Sequence, residues 1–286
     1  LTPKINQLFG YDKAAKEFRD YYSTKNTTVA PNSYTNIFKD KNIIFVHMES
    51  IQNFLLDLSF NGKEVTPNLN KLKTESLSFN HFYPQVGVGN SSDTEFTLQA
   101  SLMPALSGTV FVSYTDTYYE TIAKILKNEG YYTFSMHANK ASMWNRAIAH
   151  KSLGYDTFYS KEYYNVPEDV TDPNFIGLGL SDKEFFKQSE VILEGIESTH
   201  NNYMGTIITL TNHSPWLEKT KFDDLDLTAY VDRNGEEVED KYLEDDTVMG
   251  NYLKSSHYAD EAIGEFLDYI KNSSYFNNTV FVFYGD

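Results

Sequence analysis

The chain contains no cysteine in 286 residues. Disulfides and thiolate chemistry are therefore excluded, and the composition suits a cytosolic protein or one exported by a cell that does without disulfides. There is no apolar run of about 18 residues, the length a membrane-spanning helix needs. The N-terminal stretch also lacks the basic, apolar, small-residue order of a secretory signal, so the sequence is expected to behave as a soluble piece. Basic residues are scarce, 24 Lys and Arg against 40 Asp and Glu, for a net charge of −16. That balance argues against nucleic acid, whose phosphates are bound by clustered cations, and an anionic substrate would need local cations or a metal. What the chain does have is 41% hydrophobic residues, enough for a sizeable core in a single α/β domain. Its 22 Tyr and 20 Phe tilt the reading toward sugars, lipid head groups or a wall polymer.

Residues 1–38 read as a helical arm, with Ala14, Ala15 and Phe18 spaced along Lys13 to Tyr22, followed by a polar linker through Asn32. Residues 39–286 read as one domain. Asn42 to Met48 (NIIFVHM) is short and almost wholly apolar, as expected of a strand buried on both faces of a parallel sheet. Further strands are expected at Tyr131 to Met136, Thr157 to Tyr159, Met204 to Leu210 and Thr279 to Tyr284. Helices are expected at Pro67 to Glu75, Asp93 to Ser101, Tyr119 to Glu129, Ser142 to Lys151, Asp182 to Gly195 and Asp246 to Ile270. The alternation indicates a doubly wound, mainly parallel α/β sheet with helices on both faces. Glu218 to Glu244 is rich in charge with few apolar anchors and reads as a solvated surface excursion.

Ligands of open α/β sheets sit at the carboxyl ends of the strands. Here those ends carry Glu49, His137, the group Thr211-Asn212-His213, and Asp286. One such residue would usually be a cap or a core group; four together point to a site. Glu49 and Asp286 are hard oxygen donors able to share a divalent cation, although Glu49 also fits the first turn of a following helix. In Gly87-Val-Gly-Asn-Ser-Ser-Asp-Thr-Glu-Phe96, two glycines precede a hydroxyl cluster and a helix start. A hydroxyl projected there meets backbone N–H groups that favour anions, and a nearby metal would lower its pKa. The plain alternative is a Ser or Asp cap with Glu95 in the first turn. His137, Trp144 and Arg146 bring a proton-handling ring, an apolar wall and a bidentate phosphate donor within ten residues.

Taken in order, several stretches resemble the lipoteichoic acid synthases of the alkaline phosphatase and sulfatase superfamily. They are Phe45-Val-His-Met-Glu-Ser-Ile-Gln-Asn-Phe54, the run from Gly62 to Leu72, Gly89-Asn-Ser-Ser-Asp-Thr-Glu-Phe96, Met143-Trp-Asn-Arg146, Ile208-Thr-Leu-Thr-Asn-His-Ser-Pro215, His257-Tyr-Ala-Asp260 and Tyr284-Gly-Asp286. The matches run from about residue 40 to the end. The resemblance implies a sulfatase-like catalytic domain in which Glu49, Ser91 and Asp286 hold Mn²⁺ or Mg²⁺. It implies that Ser91 is the nucleophile, where the family usually has Thr, with Asn90, Ser92 and Thr94 close in register. His137, Trp144, Arg146 and His213 fall on positions surrounding glycerol phosphate. The implied reaction takes glycerol phosphate from phosphatidylglycerol to a glycolipid or growing polymer, at the outer face of a Gram-positive cell membrane. The membrane would be reached through helices preceding residue 1, which makes residues 1–38 a membrane-proximal arm and linker. A His is expected directly after Asp286, with further strands, so the resemblance implies a domain longer than this chain.

Three alternatives stand beside it. One is a related phosphoethanolamine or phosphoglycerol transferase, or a phosphodiesterase, built on the same site. Another is a binding domain for wall polymer without catalysis. A sulfatase activity is disfavoured, because the Cys/Ser-x-Pro-x-Arg motif is absent.

Overall fold

The computed structural model describes residues 5, 7–25, 30–216, 222, 225–227, 230, 231, 237, 238 and 247–286. The chain forms two compact units, Leu1–Lys39 and Asp40–Asp286. The first contains the helix α1 (Tyr11–Ser23), of which no residue is buried. Among the described residues, no helix is long and apolar enough to cross a membrane.

The second unit is organised by five parallel strands: β1 (Asn42–Met48), β2 (Tyr132–Met136), β3 (Thr157–Tyr159), β4 (Tyr203–Ile208) and β5 (Thr279–Gly285), in the order β5-β1-β4-β2-β3. Smaller antiparallel pairings lie outside this sheet, such as Phe175–Ile176 with Gly179–Leu180. The helices are α2 (Pro67–Glu75), α3 (Ser91–Ala100), α4 (Val110–Ser113), α5 (Ile122–Asn128), α6 (Arg146–Leu153), α7 (Asp182–Thr199) and α8 (Val248–Asn272).

Strand β1 shows why the sheet is covered on both sides. Its residues Ile44, Val46 and Met48 enter a core with Phe185 and Phe186 of α7 and Leu253, Ile263 and Phe266 of α8. Phe45 points the other way, into a core with Phe96 of α3, Phe111 of α4, Ala123 of α5 and Leu153 of α6. Alternate residues facing opposite hydrophobic layers require an almost wholly apolar strand. Phe186 and Phe266 stack with centroids 4.4 Å apart, joining α7 to α8. On β4, a Cβ at Gly205 would lie 2.2 Å from the ring of Phe134, its partner on β2, so only glycine leaves room for that ring.

Two expectations are corrected. The helix expected over Ser142 to Lys151 is broken: Trp144 and Asn145 have φ of 52° and 55°, and α6 starts only at Arg146. Much of the charged stretch 218–244, like residues 26–29 of the expected linker, lies outside the described residues. Where 218–244 is described it is not poorly anchored, since Phe222, Leu225 and Leu227 are buried. Three apolar side chains spaced through an acidic stretch were enough to fix these points against the core.

Candidate active site

The parallel register brings the carboxyl ends of the strands level. Met48 of β1 pairs with Gly285 of β5, so Glu49 and Asp286 emerge side by side. A Cβ at Gly285 would come within 2.0 Å of the Ile51 carbonyl, which makes glycine necessary where the two strand ends meet. No helix receives Glu49; the chain turns instead at Ser50, whose φ is 53°. The Glu49 N–H donates to Thr209 Oγ1 at 2.9 Å, tying the end of β1 to the residue that follows β4. The Ser50 N–H donates to Asp286 Oδ1 at 2.7 Å, and the Ser50 hydroxyl to Glu49 Oε1 at 2.9 Å.

His47, which the sequence reading left unassigned, joins these carboxylates. Its Nε2 lies 3.1 Å from Asp286 Oδ2, off the line of a good hydrogen bond, and the ring is fully buried with neither nitrogen otherwise partnered. The signal for it was present: one ionisable residue inside NIIFVHM, two positions before Glu49. Burial alone would lower the His47 pKa, but the Asp286 carboxylate outweighs it and raises the value. Burial likewise pushes Asp286 up, and His47 together with Ser91 and the Ser50 amide carries it below the usual carboxylate range. Glu49 is displaced upward, by burial first and by the Asp286 charge second.

Ser91 opens α3, and its Oγ donates to Glu49 Oε2 at 3.0 Å. The preceding turn is shaped by Asp93, whose Oδ2 accepts from the Gly87 and Gly89 amides, both at 2.9 Å. A Cβ at Gly89 would approach Asp93 Oδ1 to 2.4 Å. Asn90 is held at φ 43°, ψ −116°, a sparsely populated backbone state that sets Ser91 at the head of the helix. Ser92 turns back to the Gly89 carbonyl instead. The capping alternative for Glu95 is corrected: its carboxylate accepts from Arg146 Nε at 3.1 Å, from Arg146 Nη2 at 2.6 Å and from His150 Nε2 at 2.7 Å. His150 Nδ1 lies 2.8 Å from Ser135 Oγ on β2. Despite its burial, Glu95 is held well below the ordinary carboxylate range by Arg146 and His150.

The remaining expected residues are placed as follows. His137 is buried at the end of β2, donates from Nδ1 to the Ile208 carbonyl at 2.9 Å, and has its pKa lowered to about 3 by burial and by Arg146. Arg146 is buried and engaged by Glu95 rather than open to solvent. Trp144 is half-buried in the kink ahead of α6. His213 is half-buried, its Nδ1 2.5 Å from the Ser214 carbonyl; it also lines a 260 Å³ pocket with Leu178, Pro215 and Trp216.

The cluster fits a divalent cation. His47, Glu49 and Asp286 each offer a ligand atom, and these atoms lie within 4.8 Å of one another. Two buried carboxylates facing each other, beside an imidazole lacking well-directed partners, form a donor set that a hard or borderline ion satisfies.

An open parallel sheet with this carboxylate, imidazole and hydroxyl cluster at its carboxyl edge defines the class: a model of the Sulfatase family matches residues 41–286, and the chain belongs to that family. Within it, the chain is 34% identical over 267 residues to lipoteichoic acid synthase 2 of Bacillus subtilis (strain 168) and 37% identical over 268 residues to lipoteichoic acid synthase of Staphylococcus aureus (strain USA300). These alignments take in 93% and 92% of the chain but 38% of each relative, so the chain spans about two fifths of their length. The crystal structure of the lipoteichoic acid synthase LtaP from Listeria monocytogenes superposes with a TM-score of 0.81 at 29% identity, covering 95% of this chain and 61% of that one. Streptococcus pyogenes phosphoglycerol transferase GacH, solved with sn-glycerol-1-phosphate, shares the fold at a TM-score of 0.58 and 20% identity, over 87% of this chain and 62% of that one.

Proposed function

We propose that residues 40–286 form the catalytic part of a phosphoglycerol transferase that takes glycerol phosphate from phosphatidylglycerol to build lipoteichoic acid outside the cell. The observation that carries this reading is the Ser91 hydroxyl at the N-terminus of α3, hydrogen-bonded to Glu49 at 3.0 Å beside a donor set suited to a divalent ion. Glu49, Ser91 and Asp286, with His47, would hold Mn²⁺ or Mg²⁺. When bound, that ion supplies a lowered hydroxyl pKa and neutralisation of phosphoryl charge.

This chain's residues then divide the work. Glu49 orients the Ser91 Oγ, which gives up its proton as it attacks phosphorus; the bond from phosphorus to the diacylglycerol oxygen breaks, and that oxygen takes up a proton in turn as it leaves. An acceptor hydroxyl next attacks the glycerophosphoryl-Ser91 ester, and Ser91 Oγ is released with its proton restored. The positive end of the α3 dipole favours the anionic phosphoryl oxygens. Arg146, His137, Trp144 and His213 surround the head group, and Arg146 is pre-oriented by Glu95, so little rotamer freedom is lost on binding.

The test is release of the head group from fluorescent phosphatidylglycerol by the full-length protein in lipid. Activity abolished by a chelator and restored by Mn²⁺ is expected. A folded, metal-loaded protein that releases phosphoethanolamine from its lipid but leaves phosphatidylglycerol intact would redirect the reading to the other head group.

A further inference from the structure

The helix of the first unit is strongly amphipathic in a way that the catalytic reading does not use. At 3.6 residues per turn, Tyr11, Ala14, Ala15, Phe18, Tyr21 and Tyr22 fall within about 120° of one another. Every charged residue of the helix lies on the remaining arc. No residue of the helix is buried, and Leu8 and Phe9 just before it are exposed as well. The rings gather along one side: Phe18 and Tyr22 lie 4.5 Å apart, Tyr21 and Tyr22 5.1 Å. Lys25 Nζ sits 4.5 Å over the Tyr21 ring. On the polar side, Lys13 pairs with Glu17 and Lys16 with Asp20.

The charge of the chain is also divided. Of its first 39 residues, six are Lys or Arg and three are Asp or Glu, a net of +3; the other 247 carry 18 basic and 37 acidic residues, a net of −19. The −19 unit is repelled by an anionic surface; α1 itself is balanced, Lys13, Lys16 and Arg19 against Asp12, Glu17 and Asp20, so the arm is drawn to such a surface by its aromatic stripe and by Lys25 at the helix end. Tyrosine and phenylalanine, not branched aliphatics, form the stripe. Tyrosine rings suit a boundary that is apolar at depth and wet at the rim.

We propose that α1 is an interfacial helix whose Tyr11, Phe18, Tyr21 and Tyr22 face lies in the head-group region of an anionic lipid bilayer. Its charged face stays in water, and Lys25 reaches the lipid phosphates. The proposal stands apart from the catalytic reading, so its test uses a lipid that this reading does not make a substrate.

The experiment measures co-sedimentation of the full chain with vesicles of phosphatidylserine in phosphatidylcholine, and with phosphatidylcholine alone. Binding is expected to the anionic vesicles and to weaken with salt. The double variant Phe18→Glu, Tyr21→Glu should lose binding on the order of tenfold or more. Its melting temperature should be unchanged, and Glu17→Gln on the polar face should bind at least as well as the parent chain. Equal binding by the double variant would overturn the proposal. So would a fall in its melting temperature, which would mean that the stripe packs against protein. A parent chain that is dimeric by light scattering and becomes monomeric in the double variant, with vesicle binding absent from both, would assign the stripe to a second copy instead.

Discussion

Ser91 and Glu95 stand one helical turn apart on α3 and do different things. Ser91 faces Glu49, and replacing it with Ala should abolish turnover while the carboxylates still take up Mn²⁺, measured by calorimetry on the folded variant. Ser91→Thr should retain measurable turnover, because the attacking group remains a hydroxyl; an inactive Thr variant together with an active Ala variant would remove Ser91 from the reaction. Glu95 holds a buried pair. Glu95→Ala leaves the Arg146 charge buried and unpaired, and should cost about 3–5 kcal/mol in denaturant unfolding. A loss below about 1 kcal/mol would show that Arg146 finds solvent or another partner. At this scale strand ends marked Glu49 and Asp286 and a glycine-rich turn marked the hydroxyls from Ser91 to Thr94, while the choice of Ser91 among them is what the family resemblance implies. It could not reveal that Glu95 belongs to Arg146 and His150, because 51 and 55 residues separate them. His47 was hidden for a related reason: a histidine in an apolar strand looks like a core residue until β5 places Asp286 beside it.

Among the elements, α2 shows how a helix start can be finished from elsewhere in the chain. Thr66 precedes it without capping it by side chain. Asp260, on α8, accepts instead from the Asn68 amide at 2.9 Å and the Leu69 amide at 2.8 Å, and also from Asn68 Nδ2 at 2.9 Å. Asp260→Ala should therefore destabilise the domain by about 1–3 kcal/mol, since buried helix-end donors lose their acceptor. Unfolding that is unchanged within error would mean that water or Thr66 substitutes. The sheet strands and most helices were legible because periodicity and flanking glycines mark them. The break at Trp144 and Asn145 was not: Asn tolerates positive φ by type but Trp does not favour it, and the turn is held by contacts distant in sequence, including the bond from Asn145 Nδ2 to the Phe111 carbonyl at 2.8 Å.

For the whole molecule, buried titrating groups pull stability in opposite directions with pH. His137 has a folded pKa of about 3 against 6.5 unfolded. Between these values the unfolded chain binds the extra proton, so this group's contribution falls as pH drops below 6.5, by up to about 1.4 kcal/mol per unit. Asp182 is raised by burial to about 6 from 3.8, so the folded state binds the proton there and acidification through 6 favours folding. A His137→Phe variant should lose the first effect only, and its stability between pH 6.5 and 5 should decline less steeply than that of the parent, measured by denaturant titration with a chelator present. Equal slopes would mean that the ring is already protonated in the folded state. The parallel, doubly wound architecture was legible from alternation of element types. The size and sign of the charge on each unit was legible too, but the pairing of β1 with β5 that closes the site depends on contacts 237 residues apart and is a property of the fold alone.

The central claim is that Ser91 carries the glycerophosphoryl group between donor and acceptor. The most direct measurement is mass spectrometry of the full-length protein quenched during turnover with phosphatidylglycerol and Mn²⁺ in the absence of acceptor, followed by peptide mapping. A glycerophosphoryl adduct on Ser91, absent in Ser91→Ala and after chelation, is the predicted result; diacylglycerol release with the adduct on Ser92 or Thr94, or with no adduct at all, would contradict it.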